Sequence, residues 1–280
     1  MAKATQQTEV STKRVANELA KPEWLQEQEV MGVEELKQYI RPSRLKVVQP
    51  LSGAAFKEQF NEGDVVLLPQ MVCVAPQLMN ERNKPTGKGA PFHVVPLFFF
   101  AEWCAWNPLQ MKGTLPPIRD RSFDPNSAIA RKAKVKELWF EPCPENPEYN
   151  VRYVEHLNYL MLVVGDNPAA GMEVVVGFSR GEYRSGSTFS GLLHMRNASP
   201  FGCIFEARVG FRTNPKGDWY GIDMSNPSAE SGMPAWVADA EMYDKLRLRH
   251  LELKEAHAQQ LIIVERDDDE FEEETGSTEM

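Results

Sequence analysis

Cysteine is scarce in this sequence: Cys73, Cys104, Cys143 and Cys203 are its four cysteines among 280 residues. No two of them form a Cys-x-x-Cys pair, and none has a histidine at metal-ligand spacing. The five histidines are also mostly dispersed along the chain. The sequence therefore predicts buried, reduced thiols, no metal and no cofactor.

Long apolar runs are absent as well. The longest candidate, residues 94–106, contains Pro96 and Glu102 and falls short of the roughly 20 residues that a membrane-spanning helix needs. The first residues, MAKATQQTEVSTKR, lack the apolar centre of a secretory signal. We therefore expect a cytoplasmic protein with no membrane partner.

Enzymatic motifs are few. The sequence has no P-loop and no His-Glu-x-x-His motif. Residues 177–181 match Gly-x-Ser-x-Gly, but the EYRSGS that follows is not an obvious helix of a nucleophile elbow. We expect no catalytic residues; the enzymatic alternative is a nuclease or another DNA-modifying enzyme with a metal-binding carboxylate cluster.

Negative charge is concentrated at one end of the chain. Residues 267–280 contain eight acidic residues and no Lys or Arg, which accounts for nearly all of the net charge of −9. Residues 41–221 contain 21 Lys and Arg against 17 Asp and Glu. The pattern indicates a mildly basic body with an acidic appendage.

Runs of β-branched and aromatic residues between turn signals predict many short strands. The predicted strands cover residues 45–48, 64–68, 93–106, 152–164, 172–178, 204–212 and 218–224. Pro96 indicates a sheet edge or a bulge, and residues 214–217 (NPKG) indicate a hairpin turn. Residues 80–91, with Gly, Pro and basic side chains, indicate an exposed loop.

Three segments have apolar residues at helical spacing: residues 33–40, residues 185–196 and a long stretch from Trp236 to about Gln260. The last is either a dimerisation element, giving a homodimer, or a helix that packs on the body. Residues 261–264 read as a short edge strand or a docking segment. Together the patterns predict a mainly β protein with accessory helices, built as an OB-like antiparallel barrel. A β-sandwich is the competing architecture.

Aromatic residues are interleaved with basic ones in and beside the predicted strands. Cations can follow the phosphates of a single strand while aromatic rings stack on its bases, at about 1–3 kcal/mol for each base. The candidate DNA-binding residues are Trp103, Trp106, Arg119, Arg121, Lys132, Lys134, Lys136, Trp139, Arg152, Tyr153, Arg208, Arg212, Lys216, Trp219 and Tyr220. Taken singly, each aromatic residue is more readily explained as part of the core.

Lys132, Lys134 and Lys136 alternate with other residues. If the chain is extended here, the three side chains lie on one face about 6–7 Å apart, close to the spacing of nucleotide phosphates. A solvated loop, or an edge strand protected from aggregation by its lysines, is an equally good explanation.

The acidic end provides a second candidate site, formed by Asp267, Asp268, Asp269, Glu270, Phe271, Glu272, Glu273 and Glu274. Such a block cannot fold alone, because its charges repel and it has almost nothing to bury. Beside a basic body it can occupy the nucleic-acid groove while DNA is absent, and it then becomes free for partner proteins when DNA binds. Phe271 would give a partner one apolar anchor. A role in solubility alone is the alternative.

Three segments resemble a group of tailed-bacteriophage proteins. They are RPSRLKVVQPLS, the strand ending in WCAWNP, and VVVGFSRGEYRSGSTFSGLL followed by FGCIFEARVGFRTNPKGDWYGIDM, and they span roughly residues 41–225. An OB-like barrel with an acidic C-terminal tail is similar to the single-stranded-DNA-binding proteins that phages encode for replication and recombination. Such tails commonly end in an aromatic residue, whereas here Phe271 lies inside the acidic run.

The resemblance implies non-sequence-specific binding of single-stranded DNA in the bacterial host cytoplasm. It also implies that residues 267–274 compete for the DNA groove and recruit phage replication proteins, namely polymerase and helicase or primase. The residue patterns together with this resemblance predict a disordered N-terminal segment (1–22), an OB-like DNA-binding barrel with loop insertions (23–234), a C-terminal helix (235–264) and a disordered acidic tail (265–280). The alternative function is a phage structural or assembly protein with a β-sandwich body and no affinity for nucleic acid.

Overall fold

A computed structural model describes residues 39–82, 84–215, 217–227 and 233–266. The segment expected to be disordered (1–22), nearly all of the helix expected at 33–40, the acidic tail and Lys216 lie outside these residues. Within the described residues the fold is mainly β, with a nearly closed, barrel-like sheet and a few helices.

Thirteen strands within the described ranges belong to one sheet. In chain order they are β1 (Ser43–Val47), β2 (Val65–Leu68), β3 (Val72–Ala75), β4 (Gln77–Met79), β5 (Pro85–Gly89), β6 (Phe92–Trp106), β7 (Ile118–Ser122), β8 (Phe140–Pro142), β9 (Asn150–Val164), β10 (Glu173–Ser179), β11 (Cys203–Asn214), β12 (Gly217–Ser225) and β13 (Ala235–Trp236). The long strands β6 and β9 are rich in β-branched and aromatic residues and are mostly buried, as expected of strands covered on both faces.

The helices lie between these strands or follow them. They are α1 (Ala54–Lys57), α2 (Ala128–Lys134), α3 (Tyr183–Met195) and α4 (Ala240–Ala258), with single 3₁₀ turns at Leu109–Met111, Lys136–Leu138, Arg180–Glu182 and Pro200–Gly202. Ser127 caps α2 by accepting the Ala130 N–H (3.1 Å), and Asp239 caps α4 by accepting the Glu241 N–H (2.8 Å). These caps fix where α2 and α4 begin.

Strands β6 and β9 form a long antiparallel ladder, from His93 opposite Val164 to Trp106 opposite Arg152. The register shifts beside Pro96, which has no N–H to donate to a neighbouring strand. The bulge predicted from Pro96 is therefore confirmed. Among the described ladders, β11 pairs with β6 only at Phe92–Val94 and β7 only from Trp103 onward, so Pro96 itself pairs with β9 alone and the edge alternative also holds locally.

Among the described strands, β1 and β12 approach each other without pairing, and we call this gap in the barrel-like sheet the seam. The strand order is β3-β2-β1-β10-β9-β6-β11, and β12 and β5 also pair with β11. Between β12 and the end of β1, the side-chain amide of Gln49 donates to the Tyr220 carbonyl (2.7 Å) and accepts the Tyr220 N–H (2.9 Å). The Gln49 side chain thus makes hydrogen bonds across the seam of the kind that the backbone of a paired strand would make.

The two faces of the sheet are covered by different helices. On one face, α3 contributes Phe189 to a core that includes Tyr159. On the other face, α4 packs Leu246 and Leu253 into a cluster that includes Leu160. Tyr159 and Leu160 are adjacent in β9 and therefore point to opposite faces. α4 thus packs on the sheet of its own chain, one of the two alternatives for this segment.

Residues 80–91 differ from the expected loop. Within them β5 pairs with β4, and the Asn80 side chain accepts the N–H groups of Arg82 (2.9 Å) and Lys84 (3.0 Å) in the connecting turn. Most of the described residues of this segment are exposed, as predicted, but β5 gives it a regular structure that the loop prediction missed. The Gly and Pro residues that suggested it belong to a short hairpin.

The C-terminal helix also has different limits from the predicted region 235–264. Ala235 and Trp236 pair with β11 as β13, and the helix begins only after the Asp239 cap. At its far end the chain turns at Gln260, and Ile262 forms a parallel bridge with Ile40.

Candidate functional site

Four of the candidate DNA-binding residues are buried. Trp106 has no exposed surface, and Trp103, Tyr220 and Arg152 are 4, 7 and 8 % exposed. Helix α2 packs over Trp103, and the Tyr220 hydroxyl accepts a hydrogen bond from Gln77 beneath the seam (3.2 Å). These side chains present no free face to a base in this conformation. They therefore leave the candidate interface, which corrects the set drawn from the sequence.

The candidate arginines outside this buried group form ion pairs. The pairs are Arg119 with Glu145 (2.7 Å), Arg121 with Glu102 (3.2 Å), Arg208 with Glu206 (3.1 Å) and Arg212 with Glu182 (2.8 Å). The hydrogen bond from Arg119 lowers the pKa of Glu145 to about 2, so this partner stays charged. The four guanidinium groups are already engaged with carboxylates of the protein itself.

The lysine-rich segment is helical rather than extended. Lys132 and Lys134 belong to α2, and Lys136 begins a 3₁₀ turn, so the strand-like spacing expected for them is wrong. The Lys132 ammonium donates to Glu141 (2.5 Å) and to the Tyr153 hydroxyl (3.2 Å). The Lys134 ammonium instead donates to the Pro125 carbonyl (3.0 Å) and lies 4.9 Å from the centroid of the Trp103 ring, so these two lysines point in different directions.

Residues 134–140, which connect α2 to β8, are all exposed, and we call them the α2–β8 surface. Four large apolar side chains in this run, Val135, Leu138, Trp139 and Phe140, are 40–45 % exposed. Lys134 and Lys136 lie among them. Several exposed apolar side chains within one short segment are typical of an interaction surface.

The two aromatic rings of this surface are held in place. The Trp139 indole N–H donates to the Ala133 carbonyl (2.7 Å), and the Trp139 carbonyl accepts the Tyr153 N–H (2.9 Å). The Arg152 guanidinium lies 5.3 Å from the centroid of the Phe140 ring. Rings that are fixed before binding lose less conformational freedom when they contact a ligand.

The candidate set drawn from the sequence includes Lys134, Lys136 and Trp139 of this surface but omits Val135, Leu138 and Phe140. Apolar residues between lysines were the available signal. Their exposure depends on how α2 and β8 meet, and no local pattern encodes that contact.

Two further candidates are half-buried. The Trp219 indole N–H donates to Glu182 beside the seam (2.8 Å), and the Tyr153 hydroxyl donates to Glu141 (2.8 Å). Lys216 and residues 267–274 lie outside the described residues, so their assignment stays a prediction.

A cavity of about 580 Å³ opens where β1 and β10 cease to pair. Its walls come from β1, β10, β12, the Arg180–Glu182 turn and the chain just after α4. At one wall the Arg266 guanidinium donates to Glu102 (2.8 Å) and Asn158 (3.0 Å). Glu102 and Arg266 are both almost completely enclosed, so the cavity abuts a buried ion pair. Sequence reasoning singled out Trp219, Tyr220 and residues 177–181 of its lining, but it did not group them, because the other lining residues come from distant strands.

Within the described ranges, no group of three or more His, Cys, Asp or Glu side chains is arranged to hold a metal ion. In the same part of the chain, every helix is too short or too polar to cross a membrane. Comparison with protein-family models, curated proteins and solved structures finds no match for this chain.

Proposed function

We propose that this protein binds single-stranded DNA without sequence preference, through the α2–β8 surface. The observation that carries the proposal is the pair of fixed, exposed rings of Trp139 and Phe140 in the same exposed segment as Lys136. Aromatic faces stack on any base, and lysines attract the phosphates. Residues 131–140 contain four Lys and Arg against one acidic residue, which supports the same assignment.

We extend the proposal to an OB-like protein of phage replication or recombination, working in the bacterial host cytoplasm. The barrel-like sheet and the resemblance of residues 41–225 support this extension. Residues 267–274 then compete with DNA as a tethered polyanion and recruit polymerase and helicase or primase once DNA displaces them. The tail starts from a defined point, because Arg266 is fixed against Glu102.

Replacing Trp139 with alanine is expected to weaken the binding of a labelled dT oligonucleotide about tenfold. One stacked base contributes about 1–3 kcal/mol, and 1.4 kcal/mol corresponds to tenfold in affinity. Fluorescence anisotropy measures the change. Trp236→Ala is the matched control, because Trp236 is 47 % exposed but lies on β13, outside the α2–β8 surface. Equal losses in both variants, or no binding by the unmodified protein at low salt, would contradict the proposal.

Lys136→Gln is expected to reduce the salt dependence of the same binding. Each phosphate contact on a single strand contributes about 0.7 to the slope of log affinity against log salt, so one lost contact lowers the slope by about that amount. Lys254→Gln, an exposed lysine on α4, is expected to leave the slope unchanged. If the two variants have the same slope, Lys136 does not contact the phosphates.

A second candidate function is a structural or assembly role in a phage particle. Val135 and Leu138 favour it, because exposed aliphatic side chains suit a protein partner better than a base. This function predicts no affinity for the oligonucleotide even at low salt, so the titration separates the two candidates.

A further inference from the structure

The cavity between β1, β10 and β12 is a second place where this fold can bind a ligand. None of its lining residues belongs to the α2–β8 surface. Its volume of about 580 Å³ lies within the range of roughly 300–1,000 Å³ that is typical of small-molecule sites. The residues of its wall indicate the chemistry of that ligand.

Glycine at position 177 lets the backbone of β10 lie close to the buried pair of Asn158 and Arg266 behind the cavity wall. Gly177 lies within β10, and a Cβ added there would be 3.2 Å from Asn158 Oδ1 and 3.9 Å from Arg266 Nη1. All three residues line the cavity. The missing side chain therefore lets β10 pack directly on the Asn158 amide and the Arg266 guanidinium, which are both almost completely buried.

Positive charge dominates the inner wall. Arg44, Lys46, Arg180 and Arg266 line the cavity. The acidic residues of the lining do not offset them equally: Glu62 and Asp218 are exposed to solvent, and Glu182 is ion-paired with Arg212 (2.8 Å). Behind the wall, the carboxylate of Glu102 is shared between Arg266 and Arg121, so that buried group carries one excess positive charge.

The buried imidazole of His156 reports the same electrostatic field. The pKa of His156 lies well below its usual range, chiefly because burial disfavours the charged form. The remaining contribution is repulsion by four guanidinium groups, those of Arg266, Arg180, Arg121 and Arg44. Three of these four arginines line the cavity, so an anion placed there would meet a favourable potential.

Aromatic side chains form another part of the lining. Phe211 is half-exposed, and its ring packs edge-on against Tyr220 with 5.2 Å between the centroids. The Trp219 ring lies beside Gly181, where an added Cβ would be 3.5 Å from it. A flat, partly solvated ring such as Phe211 is suited to stacking on a base.

We propose that this cavity binds a nucleotide, with Arg44 and Arg180 receiving its phosphate and Phe211 its base. Guanidinium groups bind phosphate through charge-assisted and often bidentate hydrogen bonds. The ligand has two sources, a free nucleotide or the 5′-phosphorylated end of a DNA strand. The proposal does not rest on DNA binding at the α2–β8 surface.

Isothermal titration calorimetry of the full chain with dTMP tests this assignment. We expect dTMP to bind and thymidine, which lacks the phosphate, to bind at least tenfold more weakly. Arg44→Gln and Arg180→Gln are each expected to lower the affinity for dTMP at least tenfold. Lys254→Gln, which changes an exposed lysine on α4, should leave the affinity unchanged. Thermal melting shows which variants are folded, and two cavity variants are tested so that one folding failure is not decisive.

Competition with oligonucleotides distinguishes the two possible ligands, a free nucleotide and the 5′-phosphorylated end of a DNA strand. Displacement of dTMP by a 5′-phosphorylated dT oligonucleotide, but not by an unphosphorylated one, identifies a strand end as the ligand. No displacement by either identifies the free nucleotide.

The proposal is overturned if dTMP does not bind, if thymidine binds equally well, or if folded Arg44 and Arg180 variants retain full affinity. None of these outcomes alters the effect of Trp139→Ala on oligonucleotide binding. Failure here can therefore be distinguished from failure of the proposed function.

Discussion

Replacing Glu102 with glutamine is expected to lower the free energy of unfolding by about 3–5 kcal/mol, the usual cost of removing one partner from a buried ion pair. The Glu102 carboxylate is fully buried between Arg266 (2.8 Å) and Arg121 (3.2 Å). Glutamine keeps the shape of the side chain but leaves Arg266 enclosed without a counter-charge. Urea unfolding measures the change through its midpoint, provided that the slope of the transition stays constant.

The control for this experiment is Glu265, the residue that precedes Arg266 in the chain. Glu265 pairs with Arg41 at 2.7 Å, but both side chains are mostly exposed. Exposed ion pairs contribute about 0–1 kcal/mol, so Glu265→Gln is expected to change stability by no more than that. If the Glu102 and Glu265 variants lose equal stability, burial does not set the strength of the Glu102 network.

A second large loss of stability is expected for Gly186→Ala in α3. An added Cβ would lie 2.7 Å from the Cβ of Phe178 and 3.2 Å from the Cδ1 of Leu157. The Cβ of Phe178 is fixed by β10, so the helix must move away from the sheet. That movement also strains the hydrogen bond from the Tyr159 hydroxyl to the Gly186 carbonyl (2.9 Å). Overpacking of this kind costs about 1–3 kcal/mol, which thermal or urea unfolding would detect.

The same helix provides a glycine for comparison. A Cβ at Gly191 would meet no atom within 4 Å, and the residue lies inside α3. Glycine inside a helix is less favourable than alanine by about 0.5–1 kcal/mol, so Gly191→Ala should stabilise the protein. One substitution type thus has opposite effects at two positions of one helix. Stabilisation by both would show that α3 does not pack as closely on β10 as the structure indicates.

The strands with local signals were predictable from the sequence. The β11–β12 hairpin has its turn at residues 214–217, where the sequence reads NPKG, and its two strands pair from Glu206 opposite Ser225 to Asn214 opposite Gly217. The β9–β10 pair is similarly marked by the turn sequence at residues 165–168. Both segments combine a turn with flanking apolar runs, and neither needs information from elsewhere in the chain.

Helix α2 was not predictable in the same way. Its cap, Ser127, and its buried face, Ala130 and Ala133, are small residues with a weak hydrophobic pattern. The two alanines form a buried helix face only because they pack against Trp103 on β6. The run of lysines beyond them therefore read equally well as extended chain or loop.

The candidate site was predictable only in its chemistry. Aromatic and basic residues near Lys136 and Trp139 could be identified, but their burial could not, because helices cover some strand residues and leave others open. The network of Glu102, Asn158 and Arg266 was even less predictable from the sequence. Its members are separated by as many as 164 residues and meet only through the fold.

At the Gln49 seam, fewer hydrogen bonds hold the barrel closed than between two paired strands. Parting two strands breaks a row of backbone hydrogen bonds, whereas Gln49 contributes only two hydrogen bonds to Tyr220, each worth about 0.5–1.5 kcal/mol net. We therefore expect β12 to open locally at a lower free energy than the β6–β9 ladder, against the packing of Tyr220, Ile222 and Met224 in the core. In such a fold, local opening and global unfolding are separate events with separate free energies.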